Sequence, residues 1–219
     1  MGRQNKFNQG RWIVALTGAS GMRYGLRLVQ VASLLCKELH VVFSDAGLRV
    51  LAEEEGIKVS RSKLSAQSLF GEARDNIQFH NCRDIGASIA SGSKLFDGMV
   101  IAPCSAGTLG HLAAGISSNL IHRAADVTLK EGRKLIMVVR ETPLSAIHLE
   151  NMLKLSRMGV CMLPAMPGFY HKPASIADLI DMLVMKILDQ MSLPTELVRR
   201  WKEPEGRREL QREEQDQVN

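Results

Sequence analysis

Five short apolar runs constrain this chain more than any other feature: residues 12–16 (WIVAL), 40–44 (HVVFS), 98–103 (GMVIAP), 134–139 (KLIMVV) and 160–164 (VCMLP). Each is apolar on both faces and stops at small or turn-forming residues. Between them lie stretches with helical periodicity, such as 24–38 with Leu26, Val29, Leu34 and Leu35, and 175–191 with Ile176, Leu179, Ile180, Leu183, Ile187 and Leu188. Strands that are apolar on both sides must be covered on both sides, and alternation with helices supplies the cover. The pattern predicts an α/β fold: a doubly wound, mainly parallel sheet with helices on both faces, in the Rossmann or flavodoxin-like three-layer manner.

Smaller features fill in the order. Asp45 is a plausible N-cap for a helix carrying Val50 and Leu51, Gln78–His80 is a short strand, and 90–93 is a loop. Helices cover 106–131 and 146–158, and a proline- and glycine-bearing loop runs from Pro164 to Pro173. We expect a single domain over 12–201, an N-terminal extension over 1–11 and a polar tail over 202–219. In open parallel sheets ligands bind outside the carboxyl ends of the strands. Here those ends are Thr17–Ser20, Ser44, Pro103–Thr108 and Arg140–Glu141.

Charge and cysteine usage narrow the class. The net charge is +5, but cations and anions are interspersed and aromatics make up only 5 %, so no basic, aromatic-interleaved stripe suggests nucleic acid. A local anion pocket accounts for the excess equally well. Cys36, Cys82, Cys104 and Cys161 stand far apart without metal-ligand spacing, so neither a metal nor a disulfide framework is expected. No apolar run approaches the length of a membrane span, and the expectation is a cytoplasmic protein.

The strand ends carry the chemistry. The turn Gly18-Ala19-Ser20 opens a helix, and backbone amides there suit a phosphate. Its glycine spacing does not fit a dinucleotide fingerprint. Ser105-Ala106-Gly107-Thr108 is a second small-residue turn, whose amides and hydroxyls suit a phosphate or a flavin edge. Cys104 beside it reads as a small buried hydrophobe. Arg123 and Lys130, seven residues apart on one helix, point the same way and converge on one anion or serve two neighbouring groups. Arg140 directly after a strand can grip phosphate, and Glu141 beside it can pass protons. Tyr170 sits in a stiff loop suited to a lid. His148 and His171 are further candidate bases, and Lys186 by default is a surface lysine.

Taken together, these segments resemble the UbiX-like flavin prenyltransferases, whose fold is similar to that of the flavin-binding cysteine decarboxylases. The resemblance runs over about 12–201. It rests on Thr17–Gly21 with Tyr24-Gly25, Pro103–Ser105 with Gly107-Thr108, Asn119-Leu120 with Arg123–Asp126 and Leu129–Glu131, Arg140–Leu144 with His148, and Pro164, Pro167, Phe169-Tyr170 and Pro173. It implies transfer of a dimethylallyl group from dimethylallyl phosphate to N5 and C6 of reduced FMN, without a metal. The product, prenylated FMN, serves UbiD-like decarboxylases.

The resemblance also implies residue roles. Gly18, Ala19, Ser20, Ser44, Ser105, Ala106, Gly107, Thr108 and Arg140 would hold FMN. Arg123, Lys130, Glu141, Tyr170 and Lys186 would surround the prenyl phosphate, and Ser91 and Gly92 would line the prenyl pocket. Glu141, Ser20 and Lys130 would be catalytic. Relatives often carry Arg at position 186; Lys keeps the charge and loses the fork. A homo-oligomer built of trimers, with sites at subunit boundaries, is implied as well. Two other readings stay open on the residues: an oxidative cysteine decarboxylase, and a non-catalytic FMN-binding subunit.

Overall fold

The computed structural model describes residues 10–201. Residues 1–9 of the expected extension, and the expected polar tail, lie outside the described residues. One parallel sheet organises the rest. Its strands are β1 (Arg11–Leu16), β2 (Glu38–Phe43), β3 (Ile77–Asn81), β4 (Gly98–Cys104), β5 (Lys134–Val139) and β6 (Cys161–Met162), in the order β3-β2-β1-β4-β5-β6. Every neighbouring pair is parallel. The order reverses between β1 and β4, the switch point at which such sheets open a crevice.

The helices are α1 (Met22–Leu35), α2 (Asp45–Glu55), α3 (Ala66–Phe70), α4 (Ala106–Ala113), α5 (Leu120–Lys130), α6 (Ala146–Arg157) and α7 (Ile176–Gln190). The layers follow the two-residue period of the strands. Val14, Leu16, Val41, Phe43, Val100 and Val138 pack under α1, α2 and α7. Ile13, Ala15, Ile101, Cys104, Met137 and Val139 pack under α4, α5 and α6. Each large side chain that is fully buried in these layers contributes roughly 1.5–3 kcal/mol. Gly25 lets α1 lie directly on the switch point, since a Cβ there would stand 2.3 Å from the Ala102 carbonyl and 2.5 Å from Leu16 Cδ2.

The structure departs from the sequence reading at several places. Ser44, not Asp45, caps α2, its hydroxyl accepting from the Gly47 amide at 2.9 Å. Leu34 lies on the exposed side of α1. The apolar stretch at 160–164 forms a strand only at Cys161–Met162. The helix α3 was not anticipated; it is five residues long, too short for a clear period, and begins in a serine capping box at Ser65 and Ser68.

Candidate functional site

Two strand ends are stitched together at the switch point. The Thr17 hydroxyl, buried, donates to the Pro103 carbonyl at 2.8 Å and accepts from the Ser105 amide at 2.9 Å. This fixes the turn after β1 against the turn after β4. Ser105 in turn caps α4, its hydroxyl accepting from the Thr108 amide at 3.3 Å and lying 3.1 Å from Thr108 Oγ1. The first-turn amides of Ala106 and Gly107 have no intrahelical partner, and Gly107 faces open space. Those amides can donate to an anion or to the edge of a polar ring.

The adjoining wall is built as closely. Gly18 lies against α2: a Cβ there would be 2.4 Å from Ala46 Cβ. Arg140 follows β5, with its amide held by the Cys104 carbonyl at 3.2 Å and its Nε donating to the Ser20 carbonyl at 3.1 Å. Its Nη atoms make no hydrogen bond among the described residues. Glu141, partly exposed, accepts only from the Thr142 amide at 3.1 Å. So Gly18, Ala19, Ser20, Ser44, Ser105, Ala106, Gly107, Thr108, Arg140 and Glu141 share one rim of the sheet. Cys104 beneath them is fully buried, and burial pushes its thiol pKa up, as befits packing rather than nucleophilic work.

One expectation for this rim is corrected. The amino end of α1 is not open to a phosphate, because Glu54 from α2 occupies it. The Glu54 carboxylate accepts from the Gly21 amide at 3.0 Å and the Met22 amide at 2.9 Å. Burial alone would raise its pKa, but hydrogen bonds from the Ser20 hydroxyl and the Met22 and Gly21 amides, with Arg140 nearby, hold it below the ordinary value. Glu54 thus links Ser20 to Arg140. Sequence reasoning missed it because Glu53-Glu54-Glu55 looks like a solvated face. Only the packing of α2 beside α1 gives it a task.

The remaining candidates do not join this rim within one chain. α5 starts at the carboxyl end of the sheet, where the Leu120 amide is held by the Cys82 carbonyl, and descends to Lys130 just ahead of β5. Lys130 Nζ pairs with Glu131 at 3.0 Å. Arg133 donates to the Gly92 and Lys94 carbonyls at 2.7 and 3.0 Å, and Gly92 abuts Glu131. Ser91, Gly92 and Lys130 therefore sit at the amino end of the sheet, and a six-residue strand puts roughly 17 Å between that end and Arg140. Arg123, higher on α5, pairs with Asp126 at 3.0 Å and donates to the Ala90 carbonyl at 3.3 Å. The two cations of α5 do not converge on one point in the single chain.

Tyr170 and Lys186 form a third group, on the opposite face of the sheet from α5. The Gly168 amide donates to Met182 Sδ at 3.5 Å, placing the Tyr170 loop on α7. Lys186, exposed, is one helical turn beyond Met182. Tyr170 packs edge-on against Trp201, ring centroids 5.7 Å apart. The two candidate histidines lie elsewhere. His148 belongs to the capping box of α6, and the ring nitrogens of His171 are shielded beside Tyr170 with no partner among the described residues. No cluster of three or more His, Cys, Asp or Glu suited to a metal occurs among the described residues, and no helix there is long and apolar enough to cross a membrane.

Known proteins share this sequence pattern and fold. The Flavoprotein family model matches residues 3–188. The flavin prenyltransferase UbiX of Halalkalibacterium halodurans is 50 % identical over 195 residues, covering 89 % of this chain and 95 % of that protein. The crystal structure of a dodecameric FMN-dependent UbiX-like decarboxylase from Escherichia coli O157:H7 superposes with a TM-score of 0.78 at 43 % identity, covering 88 % of this chain and all of that one (100 %). The structure of AnUbiX (PadA1) in complex with FMN and dimethylallyl pyrophosphate gives 0.78 at 39 % identity, with 90 % and 100 % covered.

Proposed function

The chain belongs to the UbiX flavin prenyltransferase family, and on that premise we propose that it joins a dimethylallyl group from dimethylallyl phosphate to N5 and C6 of reduced FMN in the cytoplasm. The prenylated FMN then passes to a UbiD-like decarboxylase. The observation that carries this reading is the contact of Arg140 with the Ser20 carbonyl, which draws a guanidinium, a hydroxyl and the Glu54 carboxylate together at the switch point.

The rim fits FMN. The open side of Gly107 and the first-turn amides of α4 accept a ring edge, and Gly18, Ala19, Ser20, Ser44, Ser105, Ala106, Thr108 and Arg140 enclose it. Reduced FMN supplies the electron-rich ring that accepts the allyl group. The protein's task is to stabilise the departing phosphate and to move protons. A fixed donor aimed at developing charge contributes roughly 3–4 kcal/mol, and Arg140, Lys130, Arg123 and Lys186 are the cations for that work. Ser20, hydrogen-bonded to Glu54, can carry a proton between the reacting atoms and that carboxylate. Glu141 is the second carboxylate, next to the phosphate.

Because Lys130, with Ser91 and Gly92, and Tyr170 with Lys186 flank opposite faces of the sheet, one chain cannot bring them to its own rim. We assign them to the rims of neighbouring copies in a homo-oligomer built of trimers, a reading that the dodecameric Escherichia coli relative supports. The direct test is anaerobic incubation of the protein with reduced FMN and dimethylallyl phosphate or diphosphate, followed by mass analysis of the flavin. Flavin heavier by one dimethylallyl group is the expected result. Unchanged flavin with both donors, together with release of carbon dioxide from a peptidyl cysteine, would replace this reading with the decarboxylase one.

A further inference from the structure

Two arginines hold the backbone of the segment at 90–94. Every second carbonyl there accepts from a guanidinium: Ala90 from Arg123 Nε at 3.3 Å, Gly92 from Arg133 Nη2 at 2.7 Å and Lys94 from Arg133 Nη1 at 3.0 Å. Arg133 stands in the turn that ends α5. Gly132, at φ +65°, reverses the chain there, and the Arg133 amide closes the turn onto the Thr128 carbonyl at 2.9 Å. Lys130, Glu131 and Arg133 therefore leave one tight turn together, beside the Ser91–Gly92 backbone.

Glu131 is held between the other two. Its Oε1 accepts from Lys130 Nζ at 3.0 Å, and its Oε2 lies 4.0 Å from Arg133 Nη2. It also rests on the loop: a Cβ built on Gly92 would stand 2.7 Å from Glu131 Cδ and nearer still to Oε1. A lysine–glutamate pair at the surface contributes little by itself. Arg133 changes that, because its side chain is only 12 % exposed and is committed to two carbonyls. A fixed guanidinium restrains the carboxylate, and the carboxylate restrains an ammonium that otherwise swings on a flexible four-carbon stem.

We propose that Glu131 and Arg133 are positioning residues for prenyl transfer. They fasten the Ser91–Gly92 segment to the Lys130 ammonium, so that pocket wall and phosphate-binding cation meet the neighbouring rim at one fixed spacing. The proposal rests on the assignment of Ser91, Gly92 and Lys130 given above. A lysine left free still attracts the phosphate of the bound donor. What it loses is its aim at the negative charge that grows as the allylic carbon–oxygen bond breaks. The effect therefore falls on kcat and not on KM.

The test is turnover of the full-length protein, saturated with reduced FMN, at varied dimethylallyl phosphate. Glu131→Gln keeps the shape and removes the charge. Its kcat should fall about tenfold or more, with KM for the donor no higher than wild type and with FMN affinity and thermal midpoint unchanged. Arg133→Lys cannot span both carbonyls and should lose kcat in the same direction. Gly92→Ala displaces only the end of a flexible side chain, so its thermal midpoint should hardly move while kcat falls as in Glu131→Gln. Combining Gly92→Ala with Glu131→Gln should cost no more than Glu131→Gln alone. An unchanged kcat in Glu131→Gln, with or without a lower KM, overturns the proposal, since the carboxylate would then at most compete with the phosphate. Additive losses in the double variant overturn it too, because the methyl would be obstructing the donor directly. Should Arg133→Lys fail to fold, Glu131→Gln and Gly92→Ala decide. An inactive Lys130→Ala beside a fully active Glu131→Gln removes this proposal alone; a wild-type protein without prenyl transfer removes it together with the assignment beneath it.

Discussion

The Thr17 hydroxyl accepts a hydrogen bond from the Ser105 amide at 2.9 Å and donates one to the Pro103 carbonyl at 2.8 Å, so one buried side chain joins both halves of the doubly wound sheet where they diverge. Thr17→Val keeps the shape and removes the hydroxyl. The Ser105 amide then loses its acceptor in a dry environment, which costs about 1–3 kcal/mol. Urea unfolding should show that loss. FMN affinity should fall with it, because Ser105 caps the helix whose first turn we assign to the flavin ring.

Gly18→Ala should be harmful for a simple steric reason, with a specific cure. The new methyl would lie 2.4 Å from Ala46 Cβ, closer than any real contact, and would push α2 away from the β1 turn. Overpacking of this kind costs about 1–3 kcal/mol. Ala46→Gly on the same background removes the opposing methyl and should restore both thermal midpoint and flavin binding. Loss without rescue would show that Gly18 is needed for something other than room.

The fold was legible because both-face burial leaves continuous apolar strands, and five of the six strands among the described residues announced themselves in this way. The rim was legible for the same reason: small residues and charges stand where those strands stop. What sequence hid was relational. Nothing local tells that Glu54 caps a helix other than its own, or that Asp45 gathers Arg61 and Arg83 from segments 16 and 38 residues away. The helical spacing of Arg123 and Lys130 correctly put both on α5. It carried no information about which end of the sheet α5 descends to, and that placed Lys130 far from Arg140.

Glu54→Gln tests the proton path separately from flavin binding. The amide oxygen can still accept from the Gly21 and Met22 amides, so the turn and its flavin should persist. The charge that stands behind the Ser20 hydroxyl is gone, and general acid–base help is worth roughly a hundredfold or more. Turnover in single-cycle experiments should fall by that order, while FMN titration stays near wild type. Ser20→Ala should behave alike, and the double variant should be no worse than either alone, as expected of two groups in one relay.

Mixed oligomers test the division of the site among copies. Lys130→Ala and Glu141→Gln should each nearly abolish turnover with FMN still bound. If Lys130 serves a neighbour's rim, co-assembly of the two inactive proteins creates some sites with both residues intact. Activity should reappear on mixing after dissociation and reassociation, up to about a quarter of wild type by random assortment. A mixture as inactive as its parents would place Lys130 and Glu141 in the same chain's site, against the separation set by β5.

Acid should weaken this protein through two buried histidines. Burial, with Lys94 nearby, holds the His40 pKa down to about 4, and burial with His111 stacked 4.6 Å away does the same for His122. Each is neutral when folded, while in the unfolded chain it takes up a proton near its ordinary value. The unfolded state therefore binds more protons between about pH 4 and 6.5, and stability must rise with pH across that window and level off above it. Each histidine contributes a slope of up to about 1.4 kcal/mol per pH unit. Urea midpoints measured at pH 7.5 and 5.0 should differ accordingly, and His122→Asn should shrink the difference.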